Sequence, residues 1–225
     1  MLEFTSVTVR QGSFTLTADW SLTPGVRAAI IGPSGAGKST LLMGLAGFLD
    51  IEGHVSWQGQ PIEHLAPAAR PMAVLFQDNN LFAHMTVGQN AGLGLRPSLR
   101  LTNEERERVV QALADVGLKD MSDRKPSELS GGQQSRAALA RVMLQDKPWL
   151  LLDEPFAALG PALKSEMLDL VAELCTRKGA GLMMVSHDPD DARRICDQSV
   201  LVADGAAHAP METAHLLDNP PAALK

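Results

Sequence analysis

The spacing of apolar positions changes along the chain and divides it. From Leu2 to Leu22 polar and apolar residues alternate, which predicts two half-buried antiparallel strands joined near Gln11-Gly12, and Gly53 to Ile62 predicts a further hairpin around Gln58-Gly59. Val26-Arg-Ala-Ala-Ile-Ile31 is instead a short apolar run of the kind a buried parallel strand needs, and Lys38 to Leu49 follows it as a helix. Residues 79–147 read as helical. There Thr102-Asn-Glu-Glu105 is a capping box, Glu104 and Arg108 form an i,i+4 pair, and Val109, Val110, Leu113 and Val116 supply an apolar face. Beyond Pro148, strand and helix alternate through Trp149 to Asp153, Pro161 to Arg177, Leu182 to Ser186, Pro189 to Cys196 and Val200 to Ala203, which implies a parallel sheet. The expected organisation is one α/β domain over residues 1–225. Within it, residues 1–25 and 51–70 form a small antiparallel β subdomain, residues 26–50, 71–78 and 148–210 the core, residues 79–147 a helical subdomain and residues 211–225 a short tail.

Between the first buried strand and its helix lies Gly32-Pro33-Ser34-Gly35-Ala36-Gly37-Lys38-Ser39, which fits the phosphate-loop pattern G-x-x-x-x-G-K-[ST] at every fixed position. Such a match arises by chance in roughly one chain in a hundred of this length, but the strand before it and the helix after it are the context the motif requires. Its glycines let successive N–H groups turn around an anion, and the helix aims its partly positive end at the same point. Lys38 is placed to reach the β- and γ-phosphates of ATP, Ser39 to ligate Mg²⁺, and Thr40 to add a phosphate hydrogen bond. The competing reading is a glycine-rich turn before an ordinary helix.

Two further motifs narrow the chemistry. Trp149-Leu-Leu-Leu-Asp153-Glu154 ends an apolar strand in two acids, at the strand end where parallel sheets bind ligands. Asp153 is placed to hold Mg²⁺ through water and Glu154 to orient or deprotonate the attacking water; the alternative is a solvated acidic turn before Pro155. Leu129-Ser130-Gly131-Gly132-Gln133 stands before a strongly helical stretch, Gln133 to Gln145, with Ser130 at the expected cap. It is a second helix end suited to an anion, and this run of residues occurs by chance in well under roughly one chain in a thousand.

Together these motifs resemble the nucleotide-binding subunits of ABC transporters, over nearly the whole chain and in the right order. The resemblance implies a P-loop NTPase (RecA-like) core, with Leu129 to Gln133 as the signature. It further implies a head-to-tail homodimer in which the phosphate loop of one subunit and the signature of the other enclose each ATP, so that Ser130, Gly131, Gly132 and Gln133 bind the partner's nucleotide. It assigns Gln77, at the end of Ala73-Val-Leu-Phe-Gln77, to sensing Mg²⁺ and the membrane partner. His187, in Met184-Val-Ser-His187-Asp188, becomes the residue that contacts the γ-phosphate. Catalysis thus falls to Glu154, His187, Gln77 and Lys38, and Mg²⁺ to Ser39, Gln77 and Asp153. Three departures stand out. Val9-Arg-Gln11-Gly12 lacks the usual adenine-stacking aromatic, leaving stacking either weak or supplied by Phe14. Ala157-Ala158-Leu159-Gly160 lacks the acid that helps couple the two sites, and Ser135 replaces a second Gln while Arg136 is kept.

The segment from Leu75 to Leu95, with Ala46-Gly-Phe-Leu49 and Ser199 to Gly205, is similar to bacterial thiamine-importer ATPases, although importers of iron, polyamines, sulfate or molybdate share much of it. This implies an integral membrane permease, a periplasmic solute-binding protein behind it, and a peripheral place on the cytoplasmic face of the inner membrane. Leu81, Phe82, Met85 and Val87 are expected to line a groove for a coupling helix of the permease. Composition agrees with this reading. A net charge of −6 argues against nucleic acid as the main partner, no secretory signal is visible, and no stretch approaches the length of a membrane span. Cys175 and Cys196 lack metal-like spacing and read as buried thiols of a cytosolic protein. Two other classes compete: a soluble ABC protein of DNA repair or translation, which would carry a second cassette or basic extensions, and a regulatory module without turnover, which Glu154 and His187 oppose.

Overall fold

The computed structural model describes residues 1–78 and 80–224; Asn79, inside the segment compared above with importer ATPases, and Lys225 lie outside the described residues. Along the chain run β1 (Leu2–Gln11), β2 (Phe14–Leu22), β3 (Arg27–Ile31), α1 (Lys38–Ala46), β4 (Ile51–Trp57), β5 (Gln60–Pro61) and β6 (Met72–Leu75), then α2 (Val87–Gly92), α3 (Asn103–Asp115) and α4 (Gly131–Met143). The chain continues with β7 (Trp149–Asp153), α5 (Pro161–Lys178), β8 (Gly181–Val185), α6 (Pro189–Ile195), β9 (Gln198–Ala203), β10 (Ala206–Ala207), β11 (Met211–Glu212) and α7 (Thr213–Asp218). Two compact units result. The first comprises Met1–Met72, Pro148–Glu154 and Cys175–Lys225; the second comprises Ala73–Lys147 and Pro155–Leu174.

In the first unit the strands lie in the order β5-β4-β1-β2-β10-β9-β3-β8-β7. β1 pairs antiparallel with β2 and β4, whereas β3 pairs parallel with β8 and β9, and β7 with β8. β10 joins the two kinds of pairing, being parallel to β2 and antiparallel to β9. The parallel strands are buried almost throughout, which explains their continuous apolar runs.

A bulge sets which residues of β1 reach the core. Leu2 and Phe4 are buried and so are Val7 and Val9, a change of parity that strict alternation forbids. The register shifts between Phe4 and Val7, and Ser6 there has φ 49°, so the extra residue restores the inward face. The Phe4 and Trp20 rings then meet at 4.2 Å between centroids. At the far end of α1, the buried Arg70 donates from Nη1 to the carbonyls of Gly44 and Leu45, each at 2.8 Å, satisfying acceptors that a helix C-terminus leaves open.

Residues 211–225, expected as a tail, instead contain β11, paired with β9, and α7, with Thr213 and Leu216 buried. The Ser199 and Thr213 hydroxyls, 3.0 Å apart and buried, fasten this segment. Both cysteines are buried, and burial pushes Cys175 up to about 11 and Cys196 up to about 12. Neither thiol should therefore react with an aromatic disulfide reagent at pH 8 in the folded protein, while both should react in urea; fast labelling of the folded protein would contradict this burial.

In the second unit, Thr102 caps α3 with the expected capping box. Two details of the helical reading are corrected. Arg108 pairs with Asp146 rather than Glu104, because an exposed i,i+4 pair gains too little to hold a long side chain against a more distant carboxylate. Val110 is 59 % exposed; it lies about 100° round the helix from Val109, outside the buried line of Val109, Leu113 and Val116.

Candidate active site

Strands β3, β8 and β7 are neighbours and parallel, so their carboxyl ends form one edge of the sheet. From that edge β3 leads into the Gly32 to Gly37 loop, β7 ends at Asp153 with Glu154 beyond it, and β8 leads to Ser186, His187 and Asp188. Gly35 and Gly37 have φ of 77° and 101°, left-handed values that only glycine adopts freely, and Gly37 is the cap of α1. Lys38 Nζ donates to the carbonyls of Gly32 and Pro33, both at 2.9 Å. Burial pulls its ammonium below the ordinary value, while Glu154 and Asp153 act in the opposite direction.

Ser39 Oγ donates to Asp153 Oδ1 at 2.9 Å. Desolvation raises the Asp153 carboxyl above its usual range, against the opposing effect of the Ser39 hydrogen bond. A hydroxyl and a carboxylate side by side are the hard oxygen donors that Mg²⁺ prefers, and a cation there would offset the cost of the buried charge. Among the described residues no three His, Cys, Asp or Glu gather as a metal cage.

Glu154 takes φ 49°, an uncommon conformation for a residue with a side chain, and its N–H donates to Val185 O at 3.2 Å. This backbone turn presents its carboxylate to His187, whose Nε2 lies 2.5 Å from Oε1. Together with Lys38, Ser39 and the loop glycines, these two side chains line a cavity of about 440 Å³. Gln11 and Phe14 line it as well. A Cβ on Gly37 would stand 2.6 Å from the Phe14 ring, so that ring packs directly on the loop. The Thr40 hydroxyl donates to Gln11 Oε1 at 2.9 Å.

The signature and Gln77 belong to the second unit. Ser130 caps α4 through a full capping box, its Oγ accepting from Gln133 N and its N–H donating to Gln133 Oε1. A Cβ on Gly132 would stand 2.4 Å from Leu163 Cδ2, so the leucine side chain of α5 packs directly on this glycine. Arg136 donates to Val116 O at 2.9 Å and to Glu166 at 3.2 Å. Ser135 is buried and turns its hydroxyl back to Gly131 O, an inward position that explains why a small residue suits it. Gln77 follows β6.

Of the expected groove residues, Val87 is fully buried and belongs to the core, whereas Phe82 is exposed. Asn90, not singled out in the sequence, organises that loop: its fully buried amide accepts from Phe82 N and donates to the carbonyls of Phe82 and Thr86. A polar amide in an otherwise apolar stretch was the available signal.

Residues 16–157 match the family model described as ABC transporter. The chain belongs to the ABC transporter family. As a member of it, the chain is an ATPase with a P-loop NTPase core. It is 57 % identical, over all of its length and 98 % of the relative's, to the thiamine import ATP-binding protein ThiQ of Ruegeria sp. (strain TM1040). It is 48 % identical, over 97 % of its length and 93 % of the relative's, to the protein of the same name in Yersinia pseudotuberculosis serotype I (strain IP32953). Among solved structures it is similar to the dimeric post-hydrolysis state of the ATP-binding cassette MJ0796 bound to ADP and Pi, with a TM-score of 0.80 and 27 % identity, covering 95 % of this chain and 99 % of that one.

Proposed function

We propose that the chain is the ATPase of a bacterial importer of thiamine and its phosphates, acting as a homodimer on the cytoplasmic face of the inner membrane beside a permease and a periplasmic solute-binding protein. The cargo is supported by the 57 % identity to a protein named for thiamine import. The chemistry is supported by one observation, the convergence of Lys38, Glu154 and His187 on a single cavity at the strand edge. Among the described residues no helix is long and apolar enough to cross a membrane, and the permease supplies the passage.

In this reading the loop from Gly32 to Gly37 and the end of α1 hold the phosphates of ATP, with Lys38 supplying positive charge and Thr40 a hydroxyl. Phe14 supports the base. Ser39 and Asp153 hold Mg²⁺, and Gln77 is assigned to it on the resemblance alone. The ion supplies charge neutralisation on the phosphates. Glu154 accepts the proton of the attacking water, and His187 orients the γ-phosphate while its ring is held by Glu154. Ser130, Gly131, Gly132 and Gln133 of a second copy close on the same nucleotide. Phosphoryl transfer depends chiefly on such positioning and charge, so closure of the dimer and hydrolysis are linked.

Deleting the gene should abolish high-affinity uptake of labelled thiamine by whole cells, and restoring it should return uptake. Unchanged thiamine uptake would overturn the cargo assignment, and loss of iron(III), polyamine, sulfate or molybdate uptake instead would name the replacement.

A further inference from the structure

His187 is presented by a small hydrogen-bonded knot that the catalytic description does not use. Ser186, immediately before it, is buried, and its Oγ lies 2.5 Å from Oδ2 of Asp191, also buried, one turn into α6. The same Oγ is 3.1 Å from the backbone N–H of Asp188, immediately after the histidine. A hydroxyl has one proton and two lone pairs. The close carboxylate takes the proton, so a lone pair is left to accept from Asp188 N–H. Asp191 also donates its own N–H to Asp188 O at 3.2 Å, and the Asp188 carboxylate caps α6 by accepting from Asp190 N at 3.0 Å. The residues on both sides of His187 are therefore fastened to one hydroxyl, and that hydroxyl is oriented by one carboxylate. At the end of this chain of contacts His187 Nε2 meets Glu154.

We infer that Asp191 is a positioning residue for hydrolysis, acting through the Ser186 hydroxyl to fix the His187 loop against Glu154; the inference rests on the catalytic reading of His187. Asp191 is not among the residues that line the cavity with Lys38, Glu154 and His187. Its removal frees the Ser186 proton to turn to another acceptor, and the bond to Asp188 N–H then loses its fixed direction. Small displacements of a group that must meet the γ-phosphate reduce turnover strongly while leaving nucleotide binding, carried by the phosphate loop, in place.

The test is steady-state ATPase kinetics with thermal unfolding on Ser186→Ala, Ser186→Thr, Asp191→Ala and Asp191→Asn, with His187→Ala and Ser199→Ala alongside. Ser186→Ala and Asp191→Ala should each lower kcat at least about tenfold with ATP affinity within about twofold. Asp191→Asn, which keeps a neutral acceptor, should lose less, and Ser186→Thr, which keeps the hydroxyl, should restore most of the rate. The double variant Ser186→Ala/Asp191→Ala should be no slower than the worse single one, because both act through one bond. Ser199→Ala breaks the buried hydroxyl pair with Thr213 and gives the effect of lost stability alone. If the Ser186 and Asp191 variants lose only as much thermal stability as Ser199→Ala and keep full kcat while His187→Ala is slow, the positioning role is overturned and the catalytic reading stands. If His187→Ala itself turns over normally, the catalytic reading fails and the positioning role with it.

Discussion

Replacing Glu154 by Gln should reduce ATP turnover by about 10²-fold or more and leave ATP binding within about twofold of the original protein. Glutamine keeps the length and one acceptor oxygen, so the contact with His187 Nε2 can persist, and the left-handed backbone at Glu154 does not depend on charge. What is lost is the ability to receive a proton from water. Since phosphoryl transfer needs only a small amount of proton chemistry beyond positioning, removing that step alone isolates it. ATP should then accumulate unhydrolysed and hold two copies together, visible as a dimer by size-exclusion chromatography with ATP and Mg²⁺. Equal turnover by both proteins would remove Glu154 from the mechanism and leave the proton acceptor to be found elsewhere in the cavity.

A large structural effect is expected at Gly32. A Cβ there would stand 2.0 Å from the carbonyl oxygen of Val202 in β9, and both sides of the clash are backbone. No rotamer change can relieve it; β3 and β9 would have to part, although they pair along Ala28 to Ile31. Gly32→Ala should therefore cost on the order of 3 kcal/mol or more and lower Tm by roughly 10 °C, with loss of ATP binding because the loop begins at this residue. Gly160→Ala supplies the contrast, since a Cβ at Gly160 meets nothing within 4 Å, and its stability should stay within about 0.5 kcal/mol. Calorimetry of both variants decides the matter: similar melting temperatures would mean that the approach of Gly32 to Val202 is not a constraint.

The phosphate loop, the Asp153-Glu154 pair and the signature were legible in the sequence because each requires particular residue types at fixed spacing, and the structure brings the phosphate loop, Asp153, Glu154 and His187 to one sheet edge. The parallel strands were legible for the reason that burial on both faces leaves an apolar run. Other features depend on partners far apart in the chain. Nothing near Thr40 announces that its hydroxyl will meet Gln11, and nothing near Ser186 announces Asp191. The change of parity in β1 escaped because alternation looks continuous until one residue, Ser6, takes positive φ. The segment after residue 210 read as a tail because its prolines hid the short helix α7, which is held by buried Thr213 and Leu216 rather than by a long apolar period.

The capping box at Ser130 has one more consequence. The hydroxyl oxygen accepts from Gln133 and the Ser130 N–H is taken by the Gln133 side chain, so the helix end is already tidy by itself. Of the residues that follow, Gly131 is exposed and Gly132 is buried, so the exposed face of the helix end is Ser130 and Gly131. In the proposed dimer, meeting another copy's nucleotide would therefore ask this loop for no new folding.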